Sequence, residues 1–354
     1  MVRCFFCTAV LRAAALLLAL TITMVERVTA QGIAPPGVMP APPVQWDGGV
    51  VNYQPQPVLP PAPSQTWIAP SYDTIGSQPP ITTYPDPGWG APVVMQGASG
   101  EWFTQALPEG LIYHSYWAGV HEPRLGAVFE HISSGHSYID ATGGGRGALW
   151  RYGDNNPLMP QGLELDVEGG TALRLTLDEV RDLETADFRV GFPLTYGVDN
   201  WQFKFEVYHL SSHLGDEYII AHPGSINDRI NYVRDEIEAG VSYFPVPFMR
   251  LYGEAGWAFN SDGGAKPWEF QFGTELSQPG PTGPNGEPFF AFNTHLLQDT
   301  NFGGNINTQL GWLWRGESGR VFRTGFQYFN GKSSQFQTFD HFEQQFGLGF
   351  WYDF

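Results

Sequence analysis

Between residues 163 and 354 one pattern repeats, and it constrains the fold more than any other feature. Apolar residues alternate singly with polar ones over segments of about ten residues, the length of a tilted membrane-spanning strand. Trp201, Phe203, Phe205 and Val207 alternate with Gln202, Lys204 and Glu206. Met249, Leu251, Ala255, Trp257 and Phe259 face away from Arg250, Tyr252 and Glu254. Ile306, Thr308, Leu310, Trp312 and Trp314 oppose Asn305, Asn307, Gln309 and Arg315. Successive side chains of a strand point to opposite faces, so each segment predicts a strand with one apolar and one charged face. A β-sandwich carries the same alternation with its apolar face inward. Aromatics gather near the segment ends, as in interfacial girdles, which favours a membrane barrel. After Gln31 no apolar run is long enough for a spanning helix.

The expectation is an all-β protein, an antiparallel transmembrane β-barrel of about twelve strands, with fourteen the alternative. About eleven strands are placed within 163–354, and the region 111–152 adds one to three. The last segment carries Phe346, Leu348, Phe350, Tyr352 and Phe354 on one face and ends on that aromatic carboxyl terminus. If it runs toward the periplasm, short inner turns fall at 315–320, 244–247, 196–200 and 168–171. Longer outer loops fall at 215–229, 330–341 and 178–187. Residues 277–287 break the rule, being inner yet long and rich in Gly and Pro. An even strand number puts both ends in the periplasm. The inward face is acid-rich, salted with Arg174, Arg189, Lys204, Arg250, Arg315 and Arg323. Such side chains pair across strands and fill the lumen, or line a small cation-preferring pore.

The chain carries 36 Asp+Glu against 18 Lys+Arg, a net charge of −18, which argues against nucleic acid as a partner. A basic start (Arg3, Arg12), an apolar run over 13–24 and Val28-Thr29-Ala30 predict a signal peptide over 1–30, cut before Gln31. Cys4 and Cys7, the two cysteines of the chain, leave with it, so no disulfide is expected. Sixteen of the 29 prolines lie between Ile33 and Val94, so 31–97 reads as a Pro-rich linker, mostly disordered, and 98–354 as the barrel.

The stretch 208–217, Tyr-His-Leu-Ser-Ser-His-Leu-Gly-Asp-Glu, is where chemistry is most legible. By strand parity His209, Ser211 and His213 share the lipid-facing side with Trp201 to Val207, near the outer rim. An imidazole two residues from a hydroxyl can activate it as a nucleophile. Asn231 and Asp235, on the next strand with the same parity, are the candidates to orient the ring. A bland alternative is a strand leaving the membrane into headgroups, where polar residues are ordinary. Asp216 and Glu217, and the acidic loop with Asp178, Glu179, Asp182 and Glu184, offer oxygen ligands for Ca²⁺, though solvated acidic loops are the simpler reading. His121-Glu122-Pro123-Arg124 reads as a turn, Gly143-Gly144-Gly145 follows no βα pattern, and 330–334 reads as an outer hairpin turn.

The His-x-Ser spacing at His209 and Ser211 resembles that of outer-membrane phospholipase A and the lipid A deacylase barrels. That resemblance implies a lipid acyl hydrolase with the pair facing the outer leaflet. Where those families usually continue with Asn, this chain has Ser212. A broader resemblance rests on 107–113, 121–126, 208–217, 254–259 and 328–335. Together these stretches resemble the bacterial family catalogued as domain of unknown function 1207. It implies a barrel in a Gram-negative outer membrane and assigns no activity. The expected surroundings are outer-membrane lipids, the barrel-assembly machinery reading the Phe354 strand, and a periplasmic N-terminal segment. The expected role is structural or narrow-pore, porin-like, with the hydrolase as the alternative.

Overall fold

The structure, a computed structural model, describes residues 101–177, 182–227 and 229–354. The expected signal peptide, the whole Pro-rich segment 31–97, both cysteines, Asp178 and Glu179 lie outside the described residues. Thirteen strands carry the described fold. They are β1 (Phe103–Ala106), β2 (Leu125–Ile132), β3 (Ser137–Gly153), β4 (Gly162–Thr176), β5 (Leu183–Val198), β6 (Trp201–Leu214) and β7 (Val233–Val246). Then follow β8 (Met249–Asp262), β9 (Trp268–Leu276), β10 (Glu287–Leu297), β11 (Gly304–Arg315), β12 (Val321–Lys332) and β13 (Phe342–Asp353). A short helix, α1 (Asp216–Ala221), lies between β6 and β7.

Each strand from β2 to β13 pairs antiparallel with its neighbour in sequence, and β13 pairs with β2, Gln345↔Ile132 through Tyr352↔Leu125. Twelve strands therefore close a barrel with no free edge. A sandwich is excluded by that closure. The alternation supplies the two surfaces. On β6, Trp201, Phe203 and Phe205 are 44, 42 and 38% exposed, while Gln202, Lys204 and Glu206 are 2, 6 and 0% exposed. The apolar set faces outward, where lipid replaces water, and the polar set fills the interior. This is an antiparallel transmembrane β-barrel. No described helix is long and apolar enough to cross a membrane.

The connections alternate as expected. At the rim holding the C-terminus lie the two-residue turns 199–200 and 247–248 and the connection 316–320. At the far rim lie 177–182, 215–232 and 333–341. The long connection 277–286 does fall at the C-terminal rim. Arg315 pins it there by donating to Gln278 O, Gly280 O and Ser277 Oγ. One expected turn is absent. Residues 168–171 lie inside β4, where Glu168 to Thr171 pair continuously with Arg146 to Gly143 of β3. Opposed glycines, Gly144↔Gly170 and Gly145↔Gly169, let the two backbones run close without a break. Ten strands, not eleven, therefore lie within 163–354, and β2 and β3 complete the twelve.

The first strand is split. β1 and β2 pair with the same edge of β3, β1 opposite Trp150 to Gly153 and β2 opposite Ser137 to Gly143. Between them, residues 107–124 leave the wall and enter the lumen. The departure is at Leu107, whose φ of 50° is left-handed and whose N–H still reaches Leu149 O at 3.1 Å. From there Leu111, Ile112, Tyr113, Tyr116, Trp117 and Ala118 are all buried.

Candidate functional site: a plugged lumen and a polar patch on the lipid face

The lumen is built from ion pairs that climb from strand to strand. Arg146 contacts Asp166 at 2.8 Å and Glu168 at 3.4 Å. Arg189 follows, 2.9 Å from Glu168, 3.2 Å from Glu206 and 3.4 Å from Glu238. Lys204 closes the ladder against Glu206, Glu238 and Glu254. Five carboxylates face three cations along this path. Paired charges of this kind are tolerable inside a barrel because each ion replaces lost hydration with a partner. Acids therefore outnumber basic groups along this path.

Residues 107–124 cross this interior held mainly by their backbone. Carbonyl oxygens accept from wall guanidiniums: Glu109 O and Gly110 O from Arg151, His114 O and Ser115 O from Arg250, Trp117 O from Arg323. Backbone N–H groups donate to wall carboxylates, Ile112 to Glu164 at 2.9 Å and Trp117 to Glu275 at 2.7 Å. The rings are clasped as well. Tyr116 stacks on Tyr252 at 3.9 Å between centroids, with the Arg250 guanidinium 5.0 Å from the Tyr116 ring. Trp117 meets Phe289 edge-on, and Arg323 sits 5.3 Å from its ring. Partners thus come from β3, β4, β8, β9, β10 and β12.

The far rim is closed by 333–341, which folds inward rather than standing out as a hairpin tip. Asn330, Gly331 and Lys332 still belong to β12, and Ser333 through Gln337 are buried. Thr185 donates to Gln335 at 2.6 Å, and Gln337 Nε2 donates to both Ser212 O and Ile230 O at 2.9 Å. Phe336 stacks on Tyr232, whose hydroxyl donates to Asp299. Burial raises the Tyr232 phenol well above its ordinary range, so it stays a proton donor there. Three cavities among the described residues measure about 20, 40 and 20 Å³, room for a few waters each.

Outside the barrel, near the far rim, the chemistry-bearing residues assemble in part. His209 lies directly opposite Asp235, and its Nδ1 is 2.7 Å from Asp235 Oδ1. The other carboxylate oxygen accepts from Asn260 Nδ2 at 2.7 Å. The imidazole is therefore held through Nδ1. Ser211 sits one step further along the same face, opposite Val233, and no hydrogen bond joins it to His209 among the described residues. Asn231 turns elsewhere, its Nδ2 3.5 Å from Asp262 Oδ2. Asn260 escaped the sequence reading because parity from Trp257 puts it inside. A bulge, with Asp235↔Asn260 followed by Glu236↔Ala258, flips it outward. A second pair lies across the β2–β3 hairpin, His131 Nδ1 to Ser137 Oγ at 3.1 Å. His131 thus meets Ser137 across the hairpin and not Ser133, two residues on in its own strand direction.

Asp216 and Glu217 open α1, and Glu217 Oε2 accepts from Leu183 N. Asp182 lies in the adjoining connection, and Glu184 belongs to β5. No group of three His, Cys, Asp or Glu side chains among the described residues is placed to hold a metal.

Closure, outward apolar surface and polar interior define the class, a plugged membrane β-barrel. Residues 162–354 match the family described as Protein of unknown function (DUF1207), and the chain belongs to it. No curated protein matches the chain. Among solved structures, a KdgM porin superposes with a TM-score of 0.37 at 9% identity, covering 65% of this chain and 98% of its own. A crystal structure of OccD1 (OprD) gives 0.26 at 10% identity, covering 71% and 99%.

Proposed function

We propose that this is an outer-membrane barrel of porin-like type, its narrow pathway closed at rest by its own chain. The C-terminal rim and the N-terminal segment then face the periplasm, and the assembly machinery reads the Phe354 strand. The observation that carries this reading is residues 107–124 threaded through an acid-excess lumen and tied to its wall by their backbone. A path lined by more acids than basic groups favours cations once it is open to water. Planar-bilayer recording tests it. Wild type should pass almost no current, and a variant with 108–122 replaced by a short Gly-Ser link should give cation-selective steps. A folded variant without current overturns the pore and leaves a structural role.

A second reading has its own support. Its support is the hydrogen-bonded row His209–Asp235–Asn260 on the lipid face, where unneeded polar groups are costly. In that reading Ser211 Oγ attacks a lipid ester carbonyl, its proton passes to His209 Nε2, and the alcohol leaves with that proton; water then releases the fatty acid. Fatty-acid release from mixed detergent–phospholipid micelles, with and without Ca²⁺, should then vanish in Ser211→Ala. No release by folded wild type counts against phospholipase action.

A further inference from the structure

We propose that Asp187 is a shared latch, so that the inner segment 107–124 and the outer loop 333–341 open together rather than independently. This rests on the closed-pore reading above and names how that closure is regulated.

The two closures enter from opposite rims and meet at one carboxylate. Asp187, on β5, has a side chain only 2% exposed. Its Oδ2 accepts from the Phe336 backbone N–H of the outer loop at 3.3 Å. The same oxygen lies 3.4 Å from Nε2 of His121, near the end of the inner segment, a close contact without hydrogen-bond geometry. The other oxygen, Oδ1, has no hydrogen-bond partner among the described residues. The closures also touch each other, the His121 ring stacked on Phe336 at 4.5 Å between centroids. Phe336 in turn stacks on Tyr232 at 4.7 Å. A column of three rings thus crosses the lumen from inner segment to outer loop to the base of β7, with Asp187 at its side.

A buried carboxylate is stable only while its few partners replace water. If the inner segment withdraws, His121 leaves and water reaches Asp187. The bond to Phe336 N–H then competes with solvent and loses most of its worth. The outer loop also loses the face of one ring. Withdrawal of the outer loop acts on His121 in the same way. Each closure therefore stabilises the other, a reciprocity that any coupling between two sites must obey.

Hydrogen exchange followed by mass spectrometry on the folded barrel tests this. The perturbations are His121→Ala on the inner segment and Gln337→Ala on the outer loop, each with Asp187 intact and with Asp187→Ala. With Asp187 intact, His121→Ala should speed exchange across 333–341, and Gln337→Ala across 119–124, by about tenfold, the size usual for neighbouring polar groups. In Asp187→Ala both cross-effects should shrink to the part that the His121–Phe336 stack carries alone, and cross-effects of undiminished size there overturn the latch. Asp187→Asn, which keeps the shape and an acceptor for Phe336, should give an intermediate result and serves if the alanine variant does not fold. Exchange that rises only in the mutated closure overturns the latch. That outcome differs from failure of the pore, which is read separately as absent current when 108–122 is replaced.

Discussion

Arg250 is where the wall holds the inner segment most firmly, and its replacement by Met gives the sharpest test of the plug. The side chain is 4% exposed. It donates to His114 O at 2.8 Å, Ser115 O at 3.4 Å, Ser242 Oγ at 3.0 Å and Glu275 Oε2 at 3.3 Å. Met keeps most of the volume, so the loss is chiefly one of charge and donors. Glu275 would retain the Trp117 N–H but lose its cation. Removing one partner of a buried ion pair costs about 3–5 kcal/mol. At about 1.4 kcal/mol per decade this corresponds to exchange of the 111–118 amides faster by about a hundred- to several-thousand-fold. Glu275→Gln, which removes the orphaned charge, should recover part of that loss in the double variant. Hydrogen exchange of the refolded barrel in detergent reads all three proteins. If Arg250→Met leaves the 111–118 amides protected within about threefold, less than the smallest contribution expected of a charged hydrogen bond, the plug is not held as argued.

Other outcomes follow from the same geometry. Trp117→Ala empties a site closed by Phe289 and Arg323 and should cost about 3–5 kcal/mol, read as a lowered denaturation midpoint. Phe203→Lys, on the lipid face, should lower folding stability in bilayers by about 2–4 kcal/mol if the residue sits near the midplane. Gly144→Val should destabilise the β3–β4 pairing by about 1–3 kcal/mol, whereas Gly147→Ala should be near neutral. The reason is that a Cβ at Gly144 would stand 2.5 Å from Gly169 O and Gly170 Cα, while one at Gly147 meets nothing within 4 Å. Heat-modified mobility on gels, with guanidinium titration, separates these cases.

Part of the candidate site was legible because register in a hairpin follows from parity. His209 and Asp235 share a face on strands joined through one connection, and they do meet, at 2.7 Å. Asn260 could not be found that way, since one extra residue at a bulge reverses which side faces lipid. Gly169-Gly170 read as a turn because glycine weakens strands. Only the glycines opposite, on β3, show why the strand continues.

The sequence by itself determined that this chain makes strands, which face of each is apolar, where most turns fall and that a barrel is the economical closure. These follow from a period of two and from the cost of exposing polar backbone to lipid, both local properties. Only the tertiary structure decided what fills the barrel. Leu111-Ile112-Tyr113 and Tyr116-Trp117-Ala118 look apolar enough for a wall strand, yet they occupy the lumen. What holds them is a set of guanidiniums and carboxylates from five strands, Arg151, Glu164, Arg250, Glu275 and Arg323. Those residues lie some forty to two hundred positions away, Arg151 at 41 and Arg323 at 206. Their convergence depends on the closure and stagger of twelve strands, which no local pattern encodes.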